Sequence, residues 1–229
     1  MKRQKSPSNA GQQQSGLVPY ITRWSAEQAP ALRVVAKNGG IGYADERPYD
    51  RDTNGVLWTR IPSVPGKGRS EFGKVHAVRQ RRAMEALLCQ VCAGPADRTA
   101  DGVLWMSGEN PDELDGSGSA SDELITAQPP LCSPCAVKSA HACPHLRRRC
   151  TVLRARAFDL VGVRGALYRP GYPSPVAWDA ISVAFDDPRI RWIRAGQALV
   201  RLRGITVAGL DALRGSAVGT QSDPLSSSR

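Results

Sequence analysis

No run of about 18 apolar residues occurs in the 229-residue chain, so no membrane-spanning helix is expected. Residues 1–16, MKRQKSPSNAGQQQSG, lack the apolar stretch of a secretory signal. A cytoplasmic protein is the expectation, and there clustered cysteines serve metals more often than disulfides. The glycine-rich Gly39-Gly40-Ile41-Gly42 lacks the GK[ST] ending of a phosphate loop and reads as a turn. Lysine is scarce beside arginine, and no histidine lies between His76 and His141.

What is present begins with two C-x-x-C pairs, Cys89-Gln90-Val91-Cys92 and Cys132-Ser133-Pro134-Cys135. Two sulfurs three positions apart reach one ion from a tight turn, so each pair supplies half of a tetrahedral site. One structural Zn²⁺ held by Cys89, Cys92, Cys132 and Cys135 is the expectation. Two separate buried or redox pairs are the alternative. His141, Cys143, His145 and Cys150 follow around Pro144, as a possible second site or as exchange ligands for the first.

The net charge is +10, from 31 Lys and Arg against 21 Asp and Glu, and the pI is about 9.7. A chain this basic fits a nucleic-acid partner, DNA or RNA, although solubility or another acidic partner gives the same balance. The candidate contacts are Arg79, Arg81 and Arg82 before the first knuckle, Arg147, Arg148 and Arg149 after the second, and Arg191, Arg194 and Arg201 further on. Lys2, Arg3 and Lys5 make a short basic arm in a segment that composition marks as disordered.

The local pattern divides the chain. Residues 1–16 form the arm and 17–74 a strand-rich region, with strands over Leu17–Trp24, Leu32–Ala36 and Gly55–Thr59. Residues 75–150 form the zinc module. Lys74 to Leu88 is free of Gly and Pro, which predicts a helix running into Cys89. Asn54-Gly55-Val56-Leu57-Trp58 and Asp101-Gly102-Val103-Leu104-Trp105 echo each other as two type I′ hairpins. The acidic Gly/Ser-rich loop 107–123 interrupts the module, a short strand covers Leu124–Ala127, and a helix begins at Cys135. In the C-terminal unit, 151–214, strands are expected over Thr151–Ala157, Val161–Tyr168, Ile181–Phe185 and Ile205–Val207. Asp187-Pro188 should start a helix over Arg189–Arg203, closed by Gly204, with Trp192, Ala195, Leu199 and Leu202 inward and the three arginines on a neighbouring face. Residues 215–229 read as a flexible tail. The fold class is α+β: short strands and hairpins around a zinc module, then a strand–helix unit.

The order knuckle, hairpin, loop, knuckle, helix resembles a treble-clef zinc finger. Cys89 to Lys138 resembles the metal frame of HNH-type endonucleases, with Cys89, Cys92, Cys132, Cys135 and Lys138 in the frame positions. The resemblance implies a treble-clef-like module. The family's catalytic Asp-His is replaced by Val103-Leu104-Trp105-Met106, and Ala136 stands where an Asn or His is frequent. No catalytic residue is assigned, and non-catalytic binding is the expectation. A divergent metal-dependent nuclease using His141 or His145 and a protein-interaction adaptor are the alternatives.

Overall fold

The computed structural model describes residues 16–108, 123–148 and 150–215. Most of the loop 107–123, the basic arm with Lys2, Arg3 and Lys5, the tail 216–229, and Arg149 lie outside the described residues.

In chain order the elements are β1 (Thr22–Trp24), β2 (Val34–Lys37), β3 (Gly40–Tyr43), a 3₁₀ turn (Pro48–Asp50), β4 (Leu57–Trp58), β5 (Ser70–Val75) and α1 (Ala77–Glu85). Then come β6 (Arg98–Thr99), β7 (Gly102–Ser107), β8 (Glu123–Thr126), α2 (Ser133–Ala142) and α3 (Pro144–Arg148). The C-terminal part holds β9 (Thr151–Arg169), β10 (Val176–Ala184), a 3₁₀ helix (Pro188–Trp192), β11 (Ile193–Ala208) and α4 (Ala212–Gly215). The architecture is mixed α/β, mostly strands with few helices. No helix among the described residues is long and apolar enough to cross a membrane.

The main sheet is built on β9, where two separate strands were expected. The segment Phe158-Asp159-Leu160 holds neither Gly nor Pro, so nothing breaks the ladder. β11 pairs antiparallel along almost all of it, from Ile193↔Leu167 to Ala208↔Val152. The opposite edge of β9 takes β7 first and β10 second. Gly162 and Gly165 let the neighbours close in: a Cβ there would meet the Val183 and Arg194 carbonyl oxygens at 2.2 Å. The outer edge of β11 takes β4 in parallel at Arg194 and Ala195, then β8 antiparallel at Val200–Arg203. β1–β5 and β2–β3 are separate two-stranded pairs.

The helix expected over Arg189–Arg203 is therefore corrected. Asp187 does cap, its carboxylate accepting the Arg189 amide at 2.8 Å, but the turn is 3₁₀ and stops at Trp192. From Ile193 the chain is strand. Its inward residues are Ile193, Ala195, Ala198, Val200 and Leu202. A register break between Ala195 and Gln197 inserts one residue, turning a two-residue alternation into spacings that resemble a helix. Gly204 sits inside β11, at φ +59°, and closes no helix. Here β10 and β11 both pair with β9, so the antiparallel order is β10-β9-β11.

The type I′ turn is also placed elsewhere. Asn38 (φ 51°) and Gly39 (φ 71°) join β2 to β3, and Gly40, Ile41 and Gly42 belong to the strand. Asn54 and Asp101 do not enter the left-handed region. Thr99 pairs with Gly102, so the β6–β7 turn is Ala100-Asp101.

Strand β7 is buried on both faces. Val103 and Trp105 join the main core with Trp58, Met84 and the inward side of β9 and β11. Leu104 and Met106 point the other way, into a second core with Val91, Leu131, Ala136, Val152 and Leu213. This second core carries the cysteine pairs on the main sheet.

Candidate metal centre

The first knuckle begins where α1 stops. Ala86 caps the helix, and Leu87 (φ 49°) turns the chain away. The Cys89 amide donates to the Gly94 carbonyl at 2.7 Å, and Ala93 returns a bond to the Cys89 carbonyl at 2.9 Å. Ala93 holds φ 60°, which lets Cys92 fold back towards Cys89. The second knuckle is threaded between the first and β7. Leu131 donates to Leu104 and accepts from Asp97, while Gln90 donates to Pro130. Cys132 is the N-cap of α2, and Pro134 in its first turn places Cys135 one turn up. The Ser133 hydroxyl donates to the Asp97 carboxylate, which also meets Arg154 at 2.8 Å.

These bonds bring four sulfurs together. The Sγ atoms of Cys89, Cys92, Cys132 and Cys135 all lie within 4.8 Å of one another. The Cys92 and Cys132 sulfurs are 3.8 Å apart. A tetrahedron of sulfurs about 2.3 Å from an ion has edges of about 3.8 Å, so the cage fits one metal ion. Cys89 and Cys135 are buried, Cys132 is half-buried and Cys92 faces solvent.

The electrostatics call for a cation. Burial pushes the Cys132 thiol up to about 11, and burial with the hydrogen bond to Cys132 raises Cys135 further. Burial also opposes ionisation of Cys92, but the Gly94 amide and the surrounding thiols outweigh it and bring that thiol below its ordinary value. Four thiolates cannot share this space unaided. A divalent ion bound there would supply the compensating charge and let all four ionise.

Cys143, Cys150, His141 and His145 form no second group of three or more ligands among the described residues. Cys143 caps α2, and His141 and His145 are exposed on α2 and α3. Burial and the nearby Cys143 raise the Cys150 thiol. Compared with protein-family models, curated proteins and solved structures, the chain matches none.

The arginines differ in their surroundings. Arg79 is buried, its guanidinium bonded to Glu27 at 2.6 and 2.7 Å. Arg81 lies over the Trp58 ring at 4.8 Å and pairs with Glu85 at 2.7 Å. Arg82, Arg147 and Arg148 are exposed. Arg191 is exposed in the 3₁₀ helix, Arg194 lies over Tyr168 at 5.5 Å, and Arg201 stands 3.6 Å from Glu123. A strand cannot hold the last three in a helical stripe, which removes that arrangement.

Two features escaped sequence reasoning. One is the buried Glu27, His76 and Arg79 group, drawn from β1's end and α1. The other is Gln80, fully buried, whose carboxamide donates to the Ala198 carbonyl and accepts the Ala198 amide. No residue type or spacing flagged either, because both depend on pairing across long separations.

Proposed function

We propose that the chain is a zinc-stabilised binding protein, its Zn²⁺ structural and held by Cys89, Cys92, Cys132 and Cys135 in a treble-clef-like module. The observation that carries this is the sulfur cage, with its 3.8 Å edge. Four thiolate donors select zinc among divalent ions, and a closed set of four leaves no open position for chemistry. Protein purified without chelator should carry about one zinc per chain. Cys89→Ser or Cys132→Ser should lose it and open the 86–150 segment to protease, read by elemental analysis and limited digestion. Metal-free wild-type protein with an unchanged melting temperature would refute the assignment.

The partner we infer is nucleic acid. Between Glu123 and Asp159 the chain holds no carboxylate, while Lys138, Arg147, Arg148, Arg149, Arg154 and Arg156 lie there. Lys138, Arg147 and Arg148 are exposed on α2 and α3, beside the second knuckle. Arginine's planar fork suits phosphate. Arg147→Ala/Arg148→Ala should weaken binding to all sequences and lower the slope of log K against log salt by about 2 in duplex titrations. Zinc content should not change. A wild-type protein that binds neither duplex, single strand nor RNA at low salt would leave the adaptor reading in its place. The divergent-nuclease reading predicts plasmid cleavage with Mg²⁺ or Mn²⁺ that vanishes in His141→Ala or His145→Ala. Against it, Val103 to Met106 are all buried, so no water-activating base stands on that strand.

A further inference from the structure

A cavity of about 370 Å³ opens between α1 and the segment 49–61. Its floor is the Trp58 ring with the Arg81 guanidinium stacked on it at 4.8 Å. Tyr49 and Val78 stand at the rim, 65% and 51% exposed, with Ile61 beside them. The Tyr49 hydroxyl is held by Arg47 at 2.5 Å, which fixes the ring.

The charges lining this cavity are already paired, with one exception. Asp50 is bound by Arg60, which also reaches Asp45 at 2.8 Å. Glu85 is bound by Arg81 at 2.7 Å. Arg82 also lines the cavity, is exposed, and meets no acidic group among the described residues. The site thus offers one uncompensated guanidinium next to uncovered aromatic and aliphatic surface. A flat apolar body can stack on the Arg81 plane and the Tyr49 ring, as bases do on arginine and tyrosine. An anionic group at its end would take the Arg82 fork. The volume lies in the range of small-ligand sites.

We propose that this cavity binds a planar aromatic anion of the nucleoside monophosphate class, the ring on Arg81 and Tyr49 and the phosphate on Arg82. The site is separate from the α2–α3 surface and does not depend on it.

Calorimetric titration of the full zinc-loaded chain tests this, with adenosine 5′-monophosphate, adenosine, inorganic phosphate and single-stranded oligo(dA) as probes. The monophosphate should bind at least roughly tenfold more tightly than adenosine or phosphate alone. Arg82→Gln should weaken it by roughly ten- to a hundredfold, the worth of a charged hydrogen bond. The melting temperature should stay unchanged, because Arg82 holds nothing else in place. Tyr49→Ala should weaken monophosphate and adenosine alike. If the natural source is a strand, oligo(dA) binds more tightly than the monophosphate and Arg82→Gln weakens both. If it is a free nucleotide, the monophosphate binds as tightly as the strand. Arg147→Ala/Arg148→Ala should leave monophosphate binding intact, which separates this site from the nucleic-acid surface. No monophosphate binding by wild-type protein, or equal binding by Arg82→Gln, overturns the proposal.

Discussion

Glu27 is a carboxylate with no exposure, yet every lone pair has work. It accepts the Trp24 and Val64 amides at 2.8 Å each and both Arg79 terminal nitrogens. Burial alone would raise its pKa; Arg79 and the two amides outweigh that and bring it to about 2 from an ordinary 4.5. Beside it, the His76 ring accepts the Arg79 amide through Nδ1 and donates from Nε2 to the Pro62 carbonyl at 3.1 Å. That tautomer is neutral. Burial holds the His76 pKa below its ordinary 6.5, and the Arg79 charge adds to it. Both groups take up protons more readily when unfolded, so stability falls with acid. The loss begins as pH drops below 6.5 through His76 and grows between 4.5 and about 2 through Glu27. Urea midpoints measured at pH 7, 5 and 3.5 should show it. Glu27→Gln leaves Arg79 buried without its counter-charge and should cost about 3–5 kcal/mol at pH 7, with a flatter acid limb. An acid limb as steep in Glu27→Gln as in wild type would show that another group sets it.

At the scale of elements, β11 shows both what the chain's pattern conveys and what it hides. Its Arg, Ala, Leu and Gln content favours helix, and one inserted residue disguised the alternation. The long ladder with β9 overrides that preference. Strand β8 and helix α1 were legible because uninterrupted runs and caps are local signals, whereas the type I′ turn fell at Asn38-Gly39 and not at the two expected positions. The same strand has a gap on its outer edge, between β4 at Ala195 and β8 at Val200. Gln80 of α1 fills it, its carboxamide pairing with Ala198 as a peptide group would, at 2.9 and 3.0 Å, and reaching the Ala127 carbonyl at 2.8 Å. Gln80→Leu keeps the bulk and strands a buried amide and carbonyl. A loss of about 2–4 kcal/mol follows, with faster hydrogen exchange at Ala198. Exchange at Ala198 as slow as in wild type would mean that water or a shifted strand replaces the side chain.

For the whole molecule, the four cysteines that come together were readable because C-x-x-C spacing is a local signal. The basic surface was not, because an arginine's role depends on what folds against it: Glu27 claims Arg79, Trp58 and Glu85 claim Arg81. The order of assembly follows from the sheet. β4, β8 and the Gln80 side chain all close onto β11, the last strand of the sheet. On a ribosome, β4 must wait for Ala195, the Gln80 side chain for Ala198 and β8 for Arg203. All four cysteines of the cage have emerged by Cys135. At about 5–20 residues per second, the interval between Cys135 and these residues is on the order of several seconds. For that interval an ion bound by the four thiolates would tie Cys92 to Cys132, and closing a loop of this length removes about 4 kcal/mol of chain entropy by the relation used for covalent links. A metal held there would then be a clasp that acts in time, joining the two knuckles before the final strand arrives.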